Sequence, residues 1–495
     1  MTRRCATLPT VTERAAPRAG WAGAPGEPVA GLTADELVEA SGGHLLTPSS
    51  QAVLGAAVDS REVIAGNLFV AVPGERTDGH RFVGQAAERG ATAVLVSARP
   101  GEAELTALRA RDVAVILVDD TLRAFAEVAA FWRGRFDPLV VGVTGSIAKT
   151  SSKEAIATVL GSQLVTLKNE GNQNNEVGLP LTLMRLRPDH QAAVLEMGMY
   201  VGGEIAELAR IGRPEIGVVT AVQPVHLSRI GTIDAVERAK GELVEALPAD
   251  GVAVLNADDE RVRRMASRTQ ARVVTYGFAA DATVRADDIV SAGPDGMRFS
   301  LITPAGRRPA SIPTLGRLAV HNALAAAAVA TSSGLDEEAI VAALALGWSA
   351  PHRGTLIRAG GVTIVDDSYN ASPASVIAAL DLLAGMPGRR IAVLGEMLEL
   401  GDEHEPGHER VGAAAAGIVD RLVVVGDGAE GIARGGRDAG LDDVTIAPDR
   451  AAAAALLAGD LREGDVVLVK ASRGIELDLL VDDLVARLGT PAAGS

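Results

Sequence analysis

The feature that most constrains this chain is an apolar strand that runs through a glycine turn directly into a helix. Leu139–Val143 is largely apolar, Thr144–Thr150 reads Thr-Gly-Ser-Ile-Ala-Lys-Thr, and Ser151–Leu160 has the pattern of a helix. Such a turn directs backbone N–H groups at an anion, and the helix dipole adds to the attraction. A lysine here reaches the outer phosphates of a nucleotide, and a threonine hydroxyl binds Mg²⁺. The segment therefore predicts an ATP-binding domain.

One residue of this loop departs from the usual pattern. Phosphate loops usually have glycine directly before the lysine, and this chain has Ala148 there. Alanine costs little at that position if its backbone is helical, but it is unfavourable if φ is positive. The predicted nucleotide contacts of the loop are Thr144, Gly145, Ser146, Ile147, Ala148, Lys149, Thr150 and Ser151.

Strands and helices alternate along the chain in three α/β blocks that follow a tail. Residues 1–30, rich in Ala, Arg, Pro and Gly, predict a disordered tail. The first block covers residues 31–137 and ends at an Asp-Pro boundary. In the second block, residues 138–348, apolar strands between helices predict a doubly wound parallel sheet. The third block, residues 349–490, predicts a smaller Rossmann-like unit.

Two segments of the second block have patterns of their own. Residues 273–313 combine alternating strand patterns with several prolines and glycines, which predicts a small antiparallel excursion. The Ala-rich run Asn322–Ser332 predicts a packed helix that closes the block.

Charge and cysteine content exclude several classes of protein. The 495 residues carry a formal net charge of −16, which argues against general binding of nucleic acids or anionic membranes. The one cysteine, Cys5, allows no disulfide within the chain and fits a reducing compartment. No uncharged apolar run of roughly 18 residues is present, so no membrane span is expected. We therefore expect a cytoplasmic protein, with a monomer as the default state.

Motifs spread over residues 31–490 resemble the Mur ligase family, which forms amide bonds on UDP-linked cell-wall precursors at the expense of ATP. They occur in the same order in all three blocks, at residues 58–61, 67–80, 171–180, 366–373, 394–401 and 469–473. The most specific is Asp366–Pro373, which reads Asp-Asp-Ser-Tyr-Asn-Ala-Ser-Pro and is similar to the branch that adds D-Ala-D-Ala. The resemblance implies a uridine-nucleotide domain, a central ATPase domain and a C-terminal domain for the dipeptide.

The resemblance also implies a site for two Mg²⁺ ions beside the phosphate loop. Glu196 ends an apolar strand, where side chains of a parallel sheet face the ligand crevice. A lysine on a helix, such as Lys240, is normally a solvated surface group, so its role rests on the resemblance, which implies a carbamylated side chain. The implied metal ligands are Thr150, Glu196, His226 and Lys240, and the implied catalytic residues are Lys149, Glu196, His226 and Lys240.

Further contacts to nucleotide and substrate are implied by matched positions. Asn322 matches the asparagine that contacts adenine, Arg353 an arginine that reaches the phosphates across the cleft, and Asp367 the aspartate near the ribose. Leu318 and Ala319 depart from the family, which often has a His-Asn pair there. The implied substrate contacts are Ser60, Arg61, Asn174, Asn175 and Asn370.

Together these features predict an ADP-forming ligase of peptidoglycan precursor synthesis. It would join D-Ala-D-Ala to UDP-N-acetylmuramoyl-tripeptide through an acyl phosphate, using ATP and Mg²⁺. Two alternatives stay open: a Mur-type ligase with another amine or acceptor, and a weakly catalytic paralogue that only binds a nucleotide. Ala148 motivates the second alternative, whereas Glu196, His226 and Lys240 argue against it. The third residue of the accepted peptide is left undetermined by the sequence.

Overall fold

The computed structural model describes residues 30–74, 77–225 and 227–489. Residues 1–29 of the predicted tail, including Cys5, lie outside the described residues, and so does the predicted metal ligand His226. Three β-sheets follow one another along the described chain, each with helices packed against it. No helix within those ranges has both the length and the apolar character that a bilayer crossing requires. The predicted α/β class with three successive units is confirmed.

The first unit is a five-stranded sheet with four helices. Its strands are β1 (His44–Thr47), β2 (Gly55–Ala57), β3 (Asn67–Val70), β4 (Ala93–Val96) and β5 (Ala114–Leu117). Its helices are α1 (Ala34–Ser41), α2 (Val83–Glu88), α3 (Glu102–Ala110) and α4 (Thr121–Arg133). The strand order is β1-β5-β4-β3-β2, with β1 antiparallel to β5 and all other neighbours parallel. β3 buries Leu68 in one core and Phe69 in another, because successive strand side chains point to opposite faces.

The central unit is built on a nine-stranded sheet. Its strands are β6 (Leu139–Thr144), β7 (Thr166–Lys168), β8 (Ala192–Glu196), β9 (Ile216–Val219), β10 (Val252–Asn256), β11 (Arg272–Gly277), β12 (Val284–Ser291), β13 (Met297–Thr303) and β14 (Gly306–Ile312). Its helices are α5 (Lys149–Gly161), α6 (Gly178–Leu183), α7 (Glu204–Gly212), α8 (Leu227–Ile230), α9 (Ile233–Glu245), α10 (Glu260–Arg264), α11 (Arg317–Ser332) and α12 (Glu337–Leu346). Helices α6, α7 and α9 pack on one face, and α5, α11 and α12 on the other, as in a doubly wound sheet.

The order of the central sheet is β14-β13-β12-β11-β10-β9-β6-β8-β7. All neighbours from β7 to β12 run parallel, and β12, β13 and β14 continue the sheet as antiparallel strands. The predicted excursion over residues 273–313 therefore exists, but it begins only at Val284. Arg272–Gly277 alternates like an edge strand, and its parallel pairing with β10 depends on contacts that a local pattern does not contain.

The third unit is a six-stranded sheet. Its strands are β15 (Thr355–Ala359), β16 (Val362–Asp366), β17 (Arg390–Gly395), β18 (Arg421–Val425), β19 (Val444–Ala447) and β20 (Val466–Lys470). Its helices are α13 (Pro373–Ala384), α14 (His404–Ala416), α15 (Glu430–Asp438), α16 (Arg450–Asp460) and α17 (Leu477–Gly489). The order is β15-β16-β20-β17-β18-β19, and only β15 is antiparallel to its neighbour.

The strand order of the central sheet brings several polar residues to one edge. β6 lies between β8 and β9 and runs parallel to both, so their carboxyl ends meet. Thr144 ends β6, Glu196 ends β8, and Thr220 directly follows β9. Crevices at such an edge are where open parallel sheets bind ligands.

Candidate active site

The loop between β6 and α5 is fixed to the segment that follows β9. Gly145 has φ 152°, and a Cβ at this position would lie 1.8 Å from Thr220 Oγ1, so only glycine fits. Thr220 Oγ1 donates to the Ile147 carbonyl over 2.6 Å, and Ser146 N donates to the Ala221 carbonyl over 2.8 Å. The loop therefore has a fixed curvature before the helix begins.

Ala148 occupies the left-handed region of backbone space. Its φ is 63° and its ψ is 3°, directly before the first residue of α5. The condition under which alanine is unfavourable at this position is therefore met. A side chain with a Cβ pays about 1–2 kcal/mol in this region, whereas glycine adopts it freely. The conformation fits the start of α5, because Ser152 N donates to the Ala148 carbonyl over 2.8 Å.

Lys149 is the first residue of α5, and its amine turns back into the loop. Its Nζ donates to the Ser146 carbonyl over 3.3 Å. Burial lowers the pKa of Lys149, attraction to Glu196 opposes that change, and the Arg353 guanidinium lowers the pKa further. Two charged side chains from separate parts of the chain, Glu196 at the end of β8 and Arg353 in the linker before β15, thus act electrostatically on one amine. A phosphate bound in the loop would favour the charged form of this lysine.

Glu196 is buried at the end of β8 and is held by two asparagines. Asn174 Nδ2 donates to Glu196 Oε1 over 2.8 Å. Asn169 accepts from the backbone N of Glu196 over 2.9 Å and donates to its carbonyl over 3.1 Å. Among the described residues, the second carboxylate oxygen, Oε2, is buried without a hydrogen-bond partner. A buried, unpaired carboxylate oxygen is costly unless a cation or donor joins it.

Lys240 does not lie on a solvated face of its helix. It is on the inner side of α9, with only 2% of its surface exposed, next to buried Ala239 and Gly241. Burial lowers the pKa of Lys240 well below its usual value, and the charge of Lys149 lowers it further. An amine in such surroundings favours the neutral, nucleophilic form. The general expectation for a helix lysine is therefore wrong here.

A cleft with a volume of about 1220 Å³ separates the central sheet from the third sheet. It brings together ten of the predicted contacts, from both sides of the linker near residue 350. They are Ser146, Ile147, Ala148, Lys149, Thr150, Ser151, Asn322, Arg353, Asp367 and Asn370. The predicted contacts Thr144 and Gly145 are buried and are not part of its lining.

Asp367 and Arg353 lie on the wall of the cleft formed by the third unit. Lys470, buried at the end of β20, pairs with Asp367 Oδ2 over 2.6 Å and donates to the Asn370 carbonyl over 2.8 Å. The Arg353 guanidinium lies 4.2 Å from the centroid of the Tyr369 ring. No site role for Lys470 follows from the sequence patterns, although a lysine that ends an apolar strand is a usable signal.

Asn322 is buried between α11 and α5. Its Oδ1 accepts a hydrogen bond from Ser152 Oγ over 3.1 Å. α11 begins at Arg317, so Asn322 lies in its second turn rather than at the start of the helix. The carbonyl side of the amide is thus used by the protein, and Asn322 is part of the cleft lining.

The remaining predicted residues lie away from this cleft lining. In the first unit, Ser60 Oγ donates to Gln85 Oε1 over 2.7 Å, and the exposed Arg61 pairs with Asp59 over 2.6 Å. Asn175 Oδ1 accepts from Gly178 N over 3.0 Å at the start of α6. These contacts occupy the side chains within the protein, at positions separated along the chain from the phosphate loop.

Family models match most of the chain. The model described as Mur ligase family, catalytic domain, matches residues 53–133. The Mur ligase middle domain matches residues 143–330, and the Mur ligase, glutamate ligase domain, matches residues 352–473. The three matches thus follow the three sheets in order.

Individual proteins are similar over nearly their whole length. The UDP-N-acetylmuramoyl-tripeptide–D-alanyl-D-alanine ligase of Synechocystis is 38% identical over 439 residues, covering 86% of this chain and 91% of its own. A crystal structure of MurF from Acinetobacter baumannii superposes with a TM-score of 0.83 at 29% identity, covering 92% and 99% of the two chains. The MurF ligase of Thermotoga maritima in complex with ADP has a TM-score of 0.78 at 28% identity, covering 88% and 97%.

Proposed function

Because the chain belongs to the Mur ligase family, we propose that it is the ligase that joins D-Ala-D-Ala to UDP-N-acetylmuramoyl-tripeptide at the expense of ATP, with release of ADP and phosphate. One geometric observation carries the proposal. A single cleft holds the phosphate-loop Lys149 on one wall and Arg353 and Asp367 on the other. Relatives that bear the name of this reaction support the choice of amine and acceptor.

The reaction proceeds in two displacements. A carboxylate of the tripeptide attacks the γ-phosphorus of ATP, the bond to ADP breaks, and an acyl phosphate forms. The amine of D-Ala-D-Ala then attacks the acyl carbon, phosphate leaves, and the amine loses a proton. The first displacement brings two anions together, so positioning and electrostatic stabilisation supply most of the catalysis. Lys149, the backbone N–H groups of its loop and Arg353 stabilise that negative charge.

The residues near the loop fit Mg²⁺. The buried Oε2 of Glu196 is an oxygen ligand without a partner among the described residues, which is what a hard cation requires. Within those residues no three His, Cys, Asp or Glu side chains converge, but the proposed set draws on other donors. Thr150, Glu196, His226 and Lys240 would hold two ions. When bound, the ions neutralise phosphate charge and polarise the phosphoryl group.

Lys240 would join this set as a carbamate. A neutral amine attacks the carbon of CO₂, forms an N–C bond and releases a proton, which converts a cation into a carboxylate-like anion. Burial favours the neutral amine, and Lys240 makes no hydrogen bond or ion pair within the described part of the chain. The modification would therefore replace an unfavourable buried cation by an oxygen ligand.

The three units would divide the substrates among them. Residues 31–137 would hold the uridine nucleotide with Ser60 and Arg61, residues 138–348 ATP, and residues 349–490 the dipeptide near Asn370. Asn174 and Asn175 would face the muramoyl peptide. ATP on one wall and the amine on the other imply closure of the cleft about the linker at residues 346–351. We propose that the enzyme acts as a monomer in the cytoplasm, where ATP is supplied.

The first test is phosphate release from ATP with UDP-N-acetylmuramoyl-tripeptide, with and without D-Ala-D-Ala, in Mg²⁺ and bicarbonate. Release that requires both substrates is expected. Release driven by another amine would identify a different Mur-type ligase. ATP binding without release would favour a nucleotide-binding paralogue, an alternative that the left-handed Ala148 specifically motivates.

A further inference from the structure

The residue before Arg353 is held in an unusual conformation by a buried carboxylate. His352 has φ 57°, a region that side chains with a Cβ rarely adopt. Its Nδ1 donates to Asp366 Oδ2 over 2.7 Å, since a carboxylate oxygen can only accept. Asp366 is 2% exposed at the end of β16. The imidazole thus connects the linker between the second and third units to β16, an inner strand of the third sheet.

The carboxylate that receives this hydrogen bond is itself fixed. Asp366 Oδ1 accepts from Ser368 Oγ over 2.6 Å and from Ser368 N over 3.2 Å. With both oxygens engaged, the carboxylate cannot rotate without breaking a second hydrogen bond. A rigid acceptor fixes the imidazole in turn, and with it the backbone at His352.

The backbone of His352 is also tied to the segment on which Arg353 packs. The His352 carbonyl accepts from Tyr369 N over 3.1 Å, and Arg353 N donates to the Ala350 carbonyl over 3.2 Å. The Arg353 guanidinium lies on the Tyr369 ring, at 4.2 Å from its centroid. The side chain and the backbone of His352 therefore both help to fix the backbone position of Arg353. They also hold Tyr369, the ring on which the Arg353 guanidinium packs.

We propose that His352 is a positioning residue, which through its hydrogen bond to Asp366 holds Arg353 toward the nucleotide phosphates. The proposal deepens the proposed function and rests on it for the identity of the nucleotide. Arg353 lines the same cleft as the phosphate loop, and its charge acts on Lys149. A side chain that is already held in its binding conformation loses less entropy when a ligand arrives.

Because the backbone of His352 is left-handed, variants that tolerate a positive φ can remove the imidazole without straining the backbone. His352→Gly keeps φ accessible and removes the imidazole. His352→Asn also tolerates a positive φ, and its amide nitrogen occupies nearly the place of Nδ1, so it serves as the conservative rescue. Asp112→Gly is the matched control, since Asp112 has φ 56° and a hydrogen-bonded side chain in the first unit. Arg353→Ala is prepared alone and together with His352→Gly.

The measurement is calorimetric binding of a non-hydrolysable ATP analogue and of AMP to the full chain with Mg²⁺. His352→Gly should weaken the triphosphate analogue about 5- to 10-fold, as expected for one released side chain. AMP binding should change less than about twofold, Asn should restore most of the affinity, and Asp112→Gly should match the unaltered chain. In the Arg353→Ala background, His352→Gly should add nothing.

Several outcomes would overturn the proposal. These are unchanged triphosphate affinity in His352→Gly, an equal loss for AMP, or a full additional loss in the Arg353→Ala background. Absence of triphosphate binding to the unaltered chain would overturn it too. Failure of the proposed function is distinguishable, because triphosphate binding needs neither the tripeptide nor D-Ala-D-Ala. A chain that binds the analogue but releases no phosphate would refute the ligase and leave the role of His352 standing.

Discussion

Asn174 and Glu196 form a hydrogen bond of 2.8 Å that uses one oxygen of a buried carboxylate and leaves the other unpaired among the described residues. The amide is thus a fixed donor that orients the carboxylate. Outer partners of metal ligands commonly have this role. The hydrogen bond stabilises one oxygen of the buried carboxylate, and the proposed Mg²⁺ would satisfy the other. The arrangement also gives two predictions with separable readouts.

Glu196→Gln is expected to lower phosphate release about 10³-fold, because an amide cannot neutralise a cation at this position. That loss corresponds to about 4 kcal/mol of transition-state stabilisation. Steady-state phosphate release at saturating substrates measures it. The control is Glu207→Gln on the surface of α7, which removes a carboxylate paired with Arg210 and should leave turnover unchanged. Turnover of Glu196→Gln within tenfold of the control would contradict the metal assignment.

The variant Asn174→Ala tests whether Asn174 orients Glu196 or contacts the muramoyl peptide. If the amide orients Glu196, the Mg²⁺ concentration for half-maximal activity should rise about 10- to 100-fold, as for other outer-shell partners. If Asn174 instead contacts the muramoyl peptide, the KM for that substrate should rise while the Mg²⁺ dependence stays unchanged. Titrations of Mg²⁺ and of UDP-N-acetylmuramoyl-tripeptide on the same preparation distinguish the two outcomes.

Lys149→Ala is expected to abolish turnover while leaving the chain folded. The amine stabilises the negative charge that develops as the two anions approach each other, and Lys149 is the one lysine in the Thr144–Thr150 loop. ADP release in the presence of all substrates is the measurement, with thermal unfolding as the control for folding. Removal of this half-buried amine should not destabilise the chain, because its surroundings lower the pKa of Lys149 and so disfavour the charged form. Near-normal ADP release from a folded variant would exclude the proposed mechanism.

Local sequence patterns are sufficient to locate the edge of the central sheet at which the proposed active site lies. The glycine turn after Leu139–Thr144 and the glutamate that ends β8 are both read within a few residues, and parallel strands bring such ends together. The three-unit fold follows from the same alternation. A local pattern does not show contacts between residues that are distant in the sequence.

The contacts and burial that local patterns do not show depend on such distant partners. Lys470 pairs with Asp367, which is 103 residues away in the chain, and Asn174 reaches Glu196 across 22 residues. Lys240 has the sequence context of a surface lysine, and only the packing of α9 shows that it is buried. The sign of φ is a further gap, because the residue type of His352 predicts neither its left-handed φ nor its hydrogen bond to Asp366.

Lys240→Met is expected to stabilise the chain while abolishing catalysis. Because the folded pKa of Lys240 lies well below the ordinary value of 10.5, the unfolded chain binds more protons between these two values. Stability of the unmodified protein should therefore rise with pH through that window, and the lysine destabilises the fold below it. Methionine removes this penalty, on the order of 1–3 kcal/mol for a buried polar group.

The measurement for Lys240→Met is urea unfolding between pH 7 and 10 in bicarbonate-free buffer. The slope of stability against pH should decrease but not vanish, because burial also lowers the pKa of Lys149. Arg238→Met on the exposed face of the same helix is the control and should leave the slope unchanged. A destabilised Lys240→Met protein would mean that the amine has a favourable partner in the folded state.

Ala148→Gly is expected to stabilise the chain by about 0.5–1 kcal/mol, because the left-handed strain of the alanine exceeds the extra entropy of glycine in the unfolded chain. The matched control is Ala157→Gly in the interior of α5, where φ is helical and glycine should instead destabilise by about 1 kcal/mol. Thermal and urea unfolding of the two variants should thus give opposite signs. If ATP turnover rises together with stability, the Ala148 methyl group also obstructs the phosphates. If stability rises and turnover does not, Ala148 affects only the backbone conformation and not phosphate binding. The structure then gives no reason to favour a nucleotide-binding paralogue without catalytic activity.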